Sequence, residues 1–135
     1  MSDQPATFAR KAAIRFDVPL PGQVLQARIG NTLQKLAADL AVGEMVGHIK
    51  GILITENQGS EIFSITSLRE GTCYRGDLWG DIREAEFSLN IILYGIEPAK
   101  IKSVFEGMLS SSGNDCTVQV FPMQDPGQSM RMRTD

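Results

Sequence analysis

The chain has few of the residues that build metal centres. It contains one histidine, His48, and two cysteines, Cys73 and Cys116, which lie far apart and form no CxxC pair. Structural zinc and iron–sulfur sites usually draw on several Cys or His residues at short spacing. The sequence therefore indicates no metal and identifies no cofactor. Because 42% of the residues are hydrophobic, the chain can build a core without a disulfide, and we expect both thiols to be reduced.

Basic charge is also scarce, since the net charge is −3 and the pI is near 5.1. Proteins bind nucleic acid mainly by neutralising phosphates with Lys and Arg, so we expect no nucleic-acid partner. The longest nearly apolar run, residues 89–96, contains Asn90 and Gly95 and is far shorter than the roughly 20 residues of a membrane span. The N-terminal stretch MSDQPATFARK lacks the apolar segment of a secretory signal. We therefore expect a cytoplasmic protein with no membrane partner.

The length of 135 residues is that of one ordinary domain, and a chain of this size hides roughly two-thirds of its unfolded surface. Residues 1–11 are polar and aperiodic, and the last residues, 123–135, contain Pro, Gly and scattered Met. Chain ends of this kind are often loose. The sequence therefore predicts a flexible N-terminus over 1–11, a single domain over 12–122 and a flexible tail over 123–135.

Hydrophobic periodicity predicts five strands and two helices. Apolar residues alternate in AIRFDV, typical of a half-buried strand, and recur at spacings of three and four over residues 24–40, typical of an amphipathic helix. Pro98 opens a second helix. The remaining strands are predicted at residues 45–55, 61–68, 85–95 and 116–121. The order β-α-β-β-β-α-β predicts an α+β two-layer sandwich, with a mostly antiparallel five-stranded sheet and both helices on one face, as a ferredoxin-like variant.

The helices can cover one face of that sheet, so the other face stays open. Side chains alternate between faces along a strand, and in the stretch GHIKGILIT this alternation puts His48 and Lys50 on the open face. The same rule adds Arg15, Ser64, Thr66, Ser88 and Asn90. Small hydroxyl and amide groups beside a His and a Lys predict a site for a small polar or anionic ligand. The simpler interpretation, which the pattern favours, is a plain solvated face or a subunit interface.

Apolar residues on the same face point to self-association. Ile52, Ile54, Ile92 and Tyr94 share the face of His48, and such a patch is usually covered. We expect two sheets to associate face to face at one end, with the polar groups at the other, in a homodimer or a larger homo-oligomer.

A long connection, residues 69–84, joins two predicted neighbouring strands. It carries Trp79, Tyr74 and Arg75, and these residue types often anchor interfaces. Connections beyond about 12 residues are unusual and often functional. The sequence predicts an ordered flap or a short extra hairpin that folds over the sheet edge or meets a neighbouring molecule.

These observations favour a homo-oligomeric binding or accessory module that has no catalytic chemistry of its own and works through the open face and the 69–84 flap. The alternative is a small enzyme whose site lies between the open face and that flap, with His48 and Lys50 acting on a polar or anionic metabolite. The sequence contains no Ser-His-Asp or Cys-His arrangement by motif, so no residue is predicted to be catalytic.

Overall fold

The structure is a computed structural model that describes residues 4–41, 43–110 and 113–122. Six strands and two helices follow one another in these ranges. They are β1 (Ala6–Pro21), α1 (Gly22–Leu40), β2 (Gly47–Ile54), β3 (Gly59–Ile65), β4 (Cys73–Leu78), β5 (Asp81–Leu93), α2 (Pro98–Ser110) and β6 (Cys116–Pro122).

The strands form one six-stranded sheet in the order β4-β3-β2-β5-β1-β6, with every neighbouring pair antiparallel. The long strand β5 lies inside the sheet and pairs with β2 on one side and β1 on the other. The register of β1 against β5 shifts between Arg15 and Leu20. This irregularity lets β1 run on to Pro21, where α1 begins directly.

Both helices pack on the same face of the sheet. In α1, Leu25, Leu33, Leu36 and Leu40 recur at helical spacing, and each is at most 1% exposed. The ring of Phe105 from α2 lies 5.0 Å from that of Phe8 on β1. Burying one side chain of this size stabilises a fold by roughly 1.5–3 kcal/mol, so the layer between helices and sheet is the main source of stability.

Gly51 shows how closely the layers approach. It lies on the helix-facing side of β2, between Phe63 on β3 and Leu89 on β5. A Cβ atom at this position would collide with the ring of Phe87 and contact the side chain of Leu33. The glycine therefore makes room for a core aromatic ring.

The prediction of an α+β fold with two helices is confirmed, but the prediction of five strands is wrong. The additional strand is β4, which lies inside the 69–84 connection and pairs with β3 at the sheet edge. Of its residues only Leu78 is buried, so β4 lacks the apolar alternation that marks a strand in sequence. The next strand, β5, also begins at Asp81 rather than at residue 85.

The residues near the N-terminus also belong to a strand, which the sequence did not predict for them. Residues 1–11 were expected to be flexible, whereas residues 6–11 belong to β1 and pair with β5. Alanines at positions 6, 9 and 12 dilute the apolar alternation there, although Phe8 is buried against α2. Residues 1–3 and the predicted tail 123–135 lie outside the described residues.

Candidate functional site

The face of the sheet turned away from the helices is called the open face here. Its centre follows from the register of β2, where Lys50 pairs with Ser64 on β3 and with Asn90 on β5. His48 pairs with Ile92, and Ser88 pairs with Ile52. The structure thus places these polar side chains where strand parity predicted them, in adjacent rows that run across the sheet.

A shallow depression of about 530 Å³ collects part of this set and is called the basic depression. It is lined by His48, Lys50, Ile62, Ser64, Thr66, Cys73, Tyr74 and Arg75. None of these residues is acidic, and within the described ranges His48, Lys50 and Arg75 form no ion pair. The arrangement offers a lysine, an arginine, an imidazole and the hydroxyls of Ser64 and Thr66 to an anion.

Arg15 is not part of this group, contrary to the sequence prediction. It pairs with Glu84 on β5 and Thr117 on β6, at the opposite end of the open face, and makes a salt bridge with Glu84. This end holds a second depression, of about 810 Å³, whose lining also includes Asp81 and Glu86. The described lining of this second depression also includes Glu56 and Arg83, so four acidic side chains face two basic ones there. Arg15 is separated from the basic depression because β1 is two strands away from β2 and because Arg15 lies near the far end of β1. The open face therefore has one basic and one predominantly acidic end.

The sequence predicted that the apolar residues of the open face gather at one end. In the structure they are spread along the face. Ile52 pairs with Ile62 in the middle of the face, whereas Ile54 pairs with Glu86 toward the acidic end. Ile92 lies beside His48 at the other end. Sequence analysis missed Ile62, although its parity with Ser64 on the same strand places it there.

The predicted interface residues of the 69–84 segment are dispersed. Arg75 pairs with Ile62 and reaches the open face. Tyr74, on the edge strand β4, also lines the basic depression. Its ring lies on the helix-facing side, 5.6 Å from that of Phe63, with its hydroxyl against Gly30 of α1. Trp79 lies in the turn between β4 and β5 and remains 54% exposed.

The turn that carries Trp79 is held in place by the preceding hairpin. The backbone N–H of Trp79 donates to the carbonyl of Gln58 at 3.1 Å, and the Gln58 side chain donates to the carbonyl of Asp81 at 2.7 Å. The 69–84 segment therefore lies along the sheet and does not cover the open face. Tyr94, directly after β5, is 47% exposed.

Glu61 is a buried acid that sequence analysis did not identify. It lies on the helix-facing side of β3 beside Leu53 and Gly76, and it is 1% exposed. Neither carboxylate oxygen has a hydrogen bond of good geometry with a described residue. Burial raises the pKa of Glu61. A side-chain hydrogen bond with Gln26 lowers this pKa to a smaller extent, and the negative charge of Asp77 raises it further. The burial of Glu61 could have been predicted from the sequence, because Glu61 lies two residues before Phe63 on β3 and therefore faces the same side of the sheet.

In the described part of the chain, no group of three or more His, Cys, Asp or Glu side chains could hold a metal ion. Neither of the two described helices has the length and apolar character needed to cross a membrane.

Comparison with known proteins gives no family. No family model matches the chain, and no curated protein matches it. Among solved structures, the Zn(II)-bound YjiA GTPase from E. coli is 18% identical over 74% of this chain, with a TM-score of 0.30. A Zn(II)-bound triple mutant of YjiA GTPase gives the same identity and coverage, with a TM-score of 0.31. This chain spans 29% of the length of either structure, and a likeness at this level supports no conclusion about fold or function.

Proposed function

We propose that the chain is a homo-oligomeric binding or accessory module without catalytic chemistry of its own, and that its open face associates with the open face of a second copy. The observation that carries this proposal is an uncovered sheet face with isoleucines in its middle and charges of opposite sign at its two ends. Ile52 and Ile62, both half-buried, form the middle, and the exposed Ile54 lies beside them toward the acidic end. An exposed apolar patch with a charged rim is typical of a protein interface.

The charges suit association of two identical faces. Lys50 lies on one side of the isoleucines along the strands, and Glu86, which makes a 3.4 Å salt bridge with Lys11, lies on the other. At the edge of the sheet, Arg75 pairs with Ile62. Asp77 pairs with Ser60, in the next row toward the acidic end. A two-fold axis across the strands near Ile52 would reverse the strand direction and set the basic end of one copy over the acidic end of the other. Closed two-fold association of this kind is the commonest oligomeric arrangement.

The size of the face also suits a dimer. The sheet has six strands, and β2 has eight residues. With strands about 4.8 Å apart and a rise of about 3.4 Å per residue, the face measures roughly 29 by 27 Å. The resulting area is close to the roughly 800 Å² that each partner buries in an interface of standard size.

We also infer a finer description of the fold. Without the β3–β4 hairpin, the elements run β1-α1-β2-β5-α2-β6, with strands in the spatial order β2-β5-β1-β6. This is the β-α-β-β-α-β arrangement of a ferredoxin-like unit, and we infer that the chain is such a unit widened by one hairpin. The hairpin adds Ile62 and Arg75 to the open face. Residence in the cytoplasm stays a prediction from the sequence.

The test is the solution mass of matched variants, measured by sedimentation at several concentrations. We expect a dimer for the unmodified chain and a monomer with unchanged circular dichroism for Ile54→Glu. Val24→Glu is the matched control, because Val24 on α1 and Ile54 are both 49% exposed, and it should leave the dimer intact. A monomeric unmodified chain, or an Ile54→Glu variant that stays dimeric, would contradict the proposal.

Binding of a small anion in the basic depression is a second candidate, favoured because none of its described lining residues is acidic. The small-enzyme alternative would depend on the same residues, His48 and Lys50. Because His48 is the only histidine, its ring signals in an NMR spectrum are unambiguous reporters. Titration with inorganic phosphate should shift them, and Lys50→Ala with Arg75→Ala should abolish the shift. A shift that survives both substitutions would place the anion elsewhere.

A further inference from the structure

A narrow cavity lies between the helices and the sheet, on the side opposite the open face. Its volume is about 110 Å³, and α1, α2, β1, β5 and β6 all contribute to its walls. Among the lining residues that the structure describes, Arg28 and Thr32 carry the only charged and hydroxyl side chains, and Cys116 adds a thiol. The remaining lining side chains are aliphatic, aromatic or thioether groups. The cavity is therefore suited to an apolar group.

The cavity adjoins a larger groove between α1 and α2, of about 650 Å³. Arg28, Thr32 and Met108 line both spaces and mark their junction. Lys35 and Asp39, one and two turns beyond Thr32 on α1, make the groove polar. An apolar slot that meets a polar groove at an arginine is suited to a molecule with an apolar tail and a charged head.

Arg28 is held at the junction in a fixed orientation. Its Nη1 and Nη2 atoms each donate to the carboxylate of Asp115 at 2.7 Å, and its guanidinium lies 5.4 Å from the ring centroid of Phe16. A weaker contact runs from Nη2 to the sulfur of Cys116 at 3.9 Å. A guanidinium has five N–H donors in a rigid fork that matches carboxylate geometry. Donors thus remain for a second carboxylate beside that of Asp115.

We propose that this cavity and groove bind a small aliphatic carboxylate, with the tail in the cavity and the carboxylate on Arg28. The size follows from volume, because a cavity of about 150 Å³ lined by Leu, Ile and Phe binds benzene. At about 110 Å³, this cavity suits a short aliphatic chain rather than a ring. Each buried methylene should tighten binding about fourfold until the cavity is full.

The experiment measures binding of hexanoate by isothermal titration calorimetry, with acetate and 1-hexanol as probes that lack the tail or the charge. We expect hexanoate to bind more tightly than either. Asp115→Asn removes a repelling charge from the mouth and keeps an amide oxygen that still accepts from Arg28, so it should tighten hexanoate binding about threefold. Val118→Phe should abolish binding, because Val118 lines the cavity and the larger ring would fill it. Val46→Phe, at an exposed position before β2, is the matched control and should bind hexanoate as the unmodified chain does.

Three results would each overturn the proposal. The first is no heat of binding up to the solubility limit of hexanoate. The second is equal affinity for hexanoate and 1-hexanol, which would show that Arg28 does not recognise the carboxylate. The third is an unchanged or weakened affinity in Asp115→Asn. This surface variant should fold normally, so the test holds even if Val118→Phe is destabilised.

Discussion

Replacing Glu61 with glutamine should stabilise the protein at neutral pH. Glu61 is 1% exposed, and its oxygens lack hydrogen bonds of good geometry to any described residue. A poorly paired buried carboxylate is costly when charged, and burial accordingly raises the pKa of Glu61 against the weaker opposing effect of Gln26. Glutamine has nearly the same shape and no charge, so the substitution removes this cost and keeps the packing.

The size of the effect follows from the cost of burying an unpaired polar group. An unpaired polar group costs about 1–3 kcal/mol and a charged one costs more, and glutamine removes the charge while its amide remains a buried polar group. We therefore expect Glu61→Gln to raise the free energy of unfolding by about 1–3 kcal/mol at pH 8. For a chain of this length, 1 kcal/mol shifts the melting temperature by about 4 °C. The variant should melt about 4–12 °C higher.

The gain must depend on pH in a defined direction. The folded state keeps the Glu61 proton to higher pH than the unfolded chain, whose carboxyl has an ordinary pKa of 4.5. Below that value both states are protonated and Glu61 costs nothing as a charge. As pH rises from there through the raised pKa of the folded state, the unmodified chain loses stability relative to the variant.

The assay is thermal unfolding of the unmodified chain, Glu61→Gln and Glu44→Gln between pH 4 and pH 8. Glu44 is exposed before β2 and is the matched control, because its substitution changes the net charge equally. The difference for Glu61→Gln should be near zero at pH 4 and grow toward pH 8, whereas Glu44→Gln should show no such growth. A Glu61→Gln difference that is constant with pH, or negative at pH 8, would refute the reasoning.

Two further predictions concern packing and a surface ion pair. Gly51→Val should cost about 1–3 kcal/mol in denaturant unfolding, because its side chain would collide with the ring of Phe87. Gly107→Ala on α2, where a Cβ meets nothing within 4 Å, should instead stabilise by about 0.5–1 kcal/mol, and the reasoning fails if both changes have the same sign. The Arg28 guanidinium lowers the pKa of Asp115, so the pair should stabilise above pH 3.8 and lose its effect as pH falls through the lowered value. Melting curves between pH 2.5 and 6 should show a smaller acid-induced loss for Asp115→Asn, and an identical loss in both proteins would contradict this.

Local patterns explain why much of the fold was predictable. Strands buried on one face show alternation, and helices covering that face show spacings of three and four, so His48 and Lys50 could be assigned to the open face from parity alone. The strand β4 could not be found in this way. It lies at the sheet edge and buries only Leu78, so its pairing with β3 depends on backbone hydrogen bonds that have no side-chain signature.

The composition of the candidate site was harder to predict, because it depends on strand order. Arg15 shares the face of His48, but the order β2-β5-β1 and the register of β1 place it beside Glu84 at the far end. Pairing between residues distant in sequence is decided by the whole fold rather than by local preference. Glu61 was missed for another reason, since charged residues are rarely fully buried without a partner.

The place of β5 inside the sheet has a consequence for how the chain is made. The neighbours of β1 are β5 and β6, so the first strand synthesised must wait for residues 81–93 before it gains a partner. Until then Phe8 and Phe16 remain without the sheet that buries them. Pairing across such sequence distances makes folding slow, and strand edges left unpaired meanwhile are prone to aggregation. Chains that end before Asp81 would never leave that state, so the arrival of β5 is the step that lets the sheet form around β1.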